Sequence, residues 1–114
     1  MFSDRARARL QDIVDNADWI AEYLDGFDFD AFRRDRRTAD AVERCLGRIT
    51  EAVIQLGEAD TDRAGLALPW GEVRALGNKL RHEYRRIDRQ RIYETARDDV
   101  PPLRDAAAKA LERP

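Results

Sequence analysis

From Ser3 onward the apolar residues recur every three or four positions. Leu10, Ile13, Val14, Ala17, Ile20, Ala21 and Leu24 form one stripe, the period of an amphipathic helix that lays one face on a core. Ser3 is placed to cap this helix and Gly26 to stop it. After the aromatic turn Gly26-Phe27-Asp28-Phe29, residues Asp30 to Arg34 read as one helical turn seating Phe29 and Phe32, with Arg33, Arg34, Arg36 and Arg37 in water. A second long helix is expected from about Thr38 to Glu58, with Val42, Cys45, Leu46, Ile49, Val53 and Leu56 at the same period. Ala59 to Leu68 reads as a loop. Pro69-Trp70 then opens a third helix, and its Trp70, Val73, Gly77, Leu80 and Tyr84 make a seam for close helix packing. Asp88 is placed to cap a fourth helix through Ile92, Tyr93 and Ala96, and Pro101-Pro102 to restart the chain into a last one bearing Leu103, Ala106, Ala107, Ala110 and Leu111. No run alternates with period two. The pattern predicts an all-α, up-and-down bundle of four to five helices with the two longest first.

Size and composition narrow this picture further. The 114 residues suit a single helical domain over 1–114. One cysteine and one histidine exclude an internal disulfide framework and the usual zinc sets, so neither metal nor cofactor is expected. Cys45, on the apolar stripe, reads as core filler. No apolar run is long enough for a signal peptide or a membrane span, which makes the cytoplasm the expected location.

The net charge of -2 hides an uneven distribution. Between Arg74 and Arg91 there are seven Lys/Arg and two Asp/Glu, a local charge of +5 that leaves -7 for the rest. His82, the only histidine, lies inside this stretch. On a helix Asn78 and His82 share a face, with Arg74, Lys79, Arg81, Arg85 and Arg86 on or beside it. Basic residues around an imidazole suit a phosphodiester, because guanidinium groups hold the anion while histidine exchanges a proton near neutral pH. From residue types alone, a surface histidine among solvated arginines is the plainer reading.

The order of features resembles the HepT-like branch of the HEPN superfamily. The resemblance runs through Ile20 to Phe27, Asp40-Ala41-Val42-Glu43-Arg44, Ile49 with Leu56-Gly57-Glu58-Ala59, Pro69-Trp70, Leu80-Arg81-His82-Glu83-Tyr84, Ile87-Asp88 and Asp99 to Leu103. It implies a small helical toxin ribonuclease of a type II-like toxin-antitoxin system, acting on RNA as a homodimer in which two motif helices flank a shared cleft. It also implies a partner, a minimal nucleotidyltransferase antitoxin that silences the toxin by adenylylating a tyrosine, here Tyr84. In that signature an arginine and a polar residue precede His-x-Tyr. Asn78, His82 and Tyr84 match, whereas Gly77 stands in the arginine's place.

Two readings follow. In the first, the chain is a metal-independent endoribonuclease with His82 as acid/base, Asn78 orienting it or the phosphate, and Arg81 and Arg85, with Arg74 and Lys79 nearby, holding the phosphate. If the missing arginine limits it, Gly77→Arg should raise activity. In the second, the chain is a binding module that lost catalysis with that arginine and acts through the nucleotidyltransferase or by holding RNA. Tyr84 fits either the packing seam or the modification site.

Overall fold

A computed structural model describes residues 2–83, 85 and 87–113. Helix α1, Asp4–Leu24, starts where Ser3 Oγ accepts from the Ala6 N–H at 3.0 Å, and the chain leaves it through Gly26 at φ 79°. The short α2, Phe29–Arg34, is capped by Asp28 and leads into α3, Arg36–Leu56, capped by Asp35. Both long helices have 21 residues and pack along one another. Their facing stripes bury Leu10, Ile13, Val42 and Val53 completely, and α7, Val100–Leu111, closes the core from the other side of α1 with Ala107 and Ala110. Each such aliphatic side chain contributes about 1.5–3 kcal/mol by leaving water, which is why these three helices set the frame for everything else. Phe32 is fully buried at the base of the aromatic turn. Its ring and that of Phe29 lie 5.3 and 5.8 Å from the ring of Tyr93, whose hydroxyl donates to the Phe27 carbonyl.

The fold is all-helical, with no strand among the described residues, as the apolar period predicts. Two details differ. The expected loop from Ala59 to Leu68 holds a helix, α4, Glu58–Arg63. Gly57, at φ 87°, turns the chain sharply after α3, and Thr61, Ala64 and Leu66 then bury themselves while Glu58 and Asp60 sit at the helix start, where negative charge is favourable. With so few buried positions there is no long stripe to read. The second difference lies at Pro101-Pro102, which do not restart the chain. Helix α6, Arg89–Glu94, capped by Asp88, runs through a π-type turn over Thr95–Asp99 directly into α7. Both prolines fall in the first turn of α7, and the wider turn just before them closes with the Val100 N–H donating to the Thr95 carbonyl.

Helix α5, Trp70–His82, is placed differently from the rest. It packs mainly on α3, with Trp70, Val73 and Leu80 half-buried and Gly77 its single buried residue. Cys45 is buried on the α3 stripe, as its position predicts, and burial pushes its thiol pKa up. No helix among the described residues is long and apolar enough to cross a membrane.

Candidate functional site

Two helix faces build the site. On α3 the residues opposite the core stripe, Arg44, Gly47, Arg48 and Glu51, recur at helical spacing and face outward together. On α5 the last turn brings Arg81 and His82 to the same side. Between them and α1 lies an open groove of about 1230 Å³, with Arg9, Asp12 and Asn16 on the α1 wall.

The α5–α3 crossing fixes where His82 stands. A Cβ on Gly77 would lie 3.0 Å from Thr50 Oγ1, 3.1 Å from Thr50 Cβ and 3.4 Å from Ile54 Cδ1. Thr50 is buried and its hydroxyl donates to the Gly47 carbonyl, so it has little freedom to yield. Only glycine lets α5 approach this closely. The packing seam of α5 is thus used within the chain, against α3. The expectation for Gly77→Arg changes accordingly: an arginine there would have to leave past Thr50 or lift α5 off α3.

Polar contacts cross the same junction. Arg81 Nη1 donates to Glu51 Oε2 at 2.6 Å, and Arg81 Nη2 donates to Asn78 Oδ1 at 2.6 Å. Glu51 Oε1 accepts from Gln55 Nε2, and Gln55 Oε1 accepts from Arg5 of α1. One chain of polar side chains therefore links α1, α3 and the end of α5, and it holds Asn78 through Arg81. His82 is exposed at the groove's end. Glu43, farther along the α3 wall, has its carboxyl pKa raised, chiefly by burial and then by Asp40, against the opposing pull of Arg89.

Of the residues singled out from the sequence, Arg81 and His82 line the groove and Asn78 is tied to Arg81. The other basic residues stand elsewhere. Arg74 places its guanidinium over the Trp70 ring at 5.8 Å, and Lys79 and Arg85 are exposed outside the groove lining. Tyr84 lies outside the described residues, so the choice between packing seam and modification site falls there too. Glu51, Arg44 and Arg48 are additions. Their signal was a polar stripe on α3 opposite the apolar one, but a period on one helix does not say which other helix faces it. Among the described residues no three His, Cys, Asp or Glu side chains gather to hold a metal ion. What remains is an accessible imidazole on a groove whose five arginines slightly outnumber its four carboxylates among the described residues, an arrangement able to hold an anion and to move a proton beside it.

The Ribonuclease HepT-like family model matches residues 13–110. A protein of Thermococcus cleftensis named "Probable ribonuclease HepT" is 32% identical over 83% of this chain and 86% of its own length. A protein of Methanocaldococcus jannaschii named "Putative RNase MJ0127" is 36% identical over 83% of this chain and 78% of its own. No solved structure matches significantly. The matched span contains α3, the groove wall it carries and the whole of α5 with His82, and the chain belongs to the HepT-like family.

Proposed function

We propose that the chain is the toxin component of a toxin-antitoxin pair, an endoribonuclease that acts in the cytoplasm and needs no metal. The observation that carries this reading is the exposed His82 on a groove lined, among the described residues, by five arginines and four carboxylates, in a chain whose relatives are named as ribonucleases. In the proposed reaction His82 takes the proton of a ribose 2'-hydroxyl, whose oxygen attacks the adjacent phosphorus. The bond to the 5'-oxygen breaks, that oxygen takes up a proton, and a 2',3'-cyclic phosphate and a free 5'-hydroxyl result. Asn78 and Arg81, fixed to each other, sit where they can orient the phosphate beside His82.

The same reading makes the working unit a homodimer. An apolar cleft of about 520 Å³ between α5 and α7, lined in part by Leu68, Val73, Leu76 and Leu103, supports it, because this surface is left uncovered by the chain itself. The partner is a nucleotidyltransferase that adenylylates Tyr84; the added phosphodiester would bring negative charge two residues from His82 and repel RNA. A second reading has its own support. Gly77 is closed off by Thr50, and Arg81 is already occupied by Glu51, so this protein could hold RNA or its partner without cleaving.

Incubation with single-stranded RNA in excess EDTA separates the two. Fragments ending in 2',3'-cyclic phosphate, together with growth arrest when the protein is expressed without its nucleotidyltransferase, are the expected result. Intact RNA and normal growth would leave the binding module.

A further inference from the structure

The groove's charges are not all matched. On its walls Arg9 lies 3.6 Å from Asp12, Arg36 lies 3.7 Å from Asp40, and Arg81 is bonded to Glu51. Arg44 and Arg48, one turn apart on α3, have no carboxylate within 4.0 Å among the described residues. Both are exposed, and Arg48 has the Cys45 thiol as a side-chain partner. Two like charges on successive turns of a helix repel, so this arrangement destabilises the free protein slightly.

Gly47 lies between them on the same groove wall. A glycine inside a helix costs about 1 kcal/mol relative to alanine, and structural glycines are usually explained by a neighbour that needs the room, as Thr50 does at Gly77. At Gly47 no atom lies within 4 Å of where a Cβ would be. The space opens onto the groove instead, on the wall that also carries Arg44 and Arg48.

We infer that Arg44, Gly47 and Arg48 form a phosphate-backbone site on the α3 wall: the two arginines grip consecutive phosphates of a single RNA strand whose backbone passes close over Gly47 on its way to His82. The inference rests on the RNA-directed reading above and deepens it. The guanidinium contacts missing from α5 at position 77 are supplied from α3, on the opposite wall of the same groove. Arg81 is not the main contact, because a phosphate would first have to displace Glu51.

The test measures binding of a fluorescent single-stranded RNA by anisotropy across a salt series, in a His82→Ala background so that cleavage does not intervene. Arg44→Ala with Arg48→Ala should lower affinity at least tenfold at about 0.1 M salt and reduce the log-log salt slope by about 1.4, at roughly 0.7 per lost phosphate contact. The lysine pair at these positions should recover part of the loss. Gly47→Ala should raise the melting temperature yet weaken binding several-fold, a combination that a purely structural glycine would not give. Arg33→Ala with Arg34→Ala, which removes the same charge from α2 where both pair with Asp30, should leave affinity unchanged. If the Arg44/Arg48 pair can be removed without changing affinity or slope, or if its loss is matched by the α2 control, the site is overturned while the nuclease reading stands. If the protein with His82 intact cuts no RNA but the binding arms behave as expected, the nuclease reading fails and the site stands. No RNA binding at all overturns the site.

Discussion

The frame of α1, α3 and α7 and the arm α5 are built on opposite terms. In the frame, seven residues of α1 and nine of α3 are buried; in α5 only one is, and it is a glycine. The frame gains its stability from aliphatic side chains in ordinary van der Waals contact. The arm instead depends on half-buried side chains such as Trp70, Val73 and Leu80, on one close backbone approach at Gly77 over Thr50, and on exposed polar bonds at its end. Burial makes the frame tolerant of surface change and intolerant of holes. The sparse contact makes α5 the element whose register, and with it the place of His82, is easiest to lose.

The sharpest contrast is thermal. Leu10→Ala, which empties a fully buried position between α1 and its neighbours, should destabilise the whole chain by about 2–5 kcal/mol, seen as one shifted melting transition. Gly77→Ala should cost less, about 1–3 kcal/mol, and should act locally: hydrogen exchange should quicken in α5 while the amides of α1 and α3 stay protected. Thr50 supplies the two shortest distances to the added methyl, so Thr50→Gly combined with Gly77→Ala should recover part of the docking. A Gly77→Ala protein with unchanged α5 exchange would mean that the crossing is looser than its distances say.

Glu51→Gln examines the polar end of the arm. An exposed ion pair of this kind contributes under about 1 kcal/mol, so stability should barely move. RNA affinity at low salt should instead rise, because Arg81 loses its competing carboxylate. A fall in affinity would show that Glu51 positions Arg81 rather than occupying it.

The smallest effect concerns pH. The Glu43 carboxyl has a folded-state pKa above its ordinary 4.5, first through burial and then through Asp40. The folded chain therefore holds this proton more tightly than the unfolded chain does. Below pH 4.5 both forms keep it and Glu43 makes no difference; as the pH rises past 4.5 the unfolded chain releases it first, and stability falls until the folded carboxyl ionises too. Glu43→Gln should remove this slight loss, making the variant at neutral pH marginally more stable than the parent in matched denaturant titrations.

The same contrast governs how far the sequence could be read. The frame was legible because burial leaves a long periodic record: the stripes from Leu10 to Ile20 and from Val42 to Leu56 are the buried faces, and Ser3 and Asp88 cap as placed. α4 left no such record. The continuity of α6 with α7 was hidden by two prolines that ordinarily mark a break but here occupy a first helical turn. On α5, the closeness of Asn78, Arg81 and His82 was legible from helical spacing. The α3 wall was not, since Glu51 and Arg81 are thirty residues apart and meet only because Gly77 lets the two helices close. The spacing puts Gly77 both on a packing seam and in the place of a missing arginine; that the seam closes on Thr50 of α3 is visible only in the structure.

The claim that unites arm and frame is that α5 is docked where it is in order to present His82 to RNA in the groove. The most direct measurement compares RNA cleavage by the parent and by His82→Ala, both shown to unfold at the same temperature. The imidazole is exposed, so the fold should be unaffected while cleavage falls by about 10²–10⁴-fold, the range for loss of a general acid-base group. Equal cleavage by the two proteins would contradict the account.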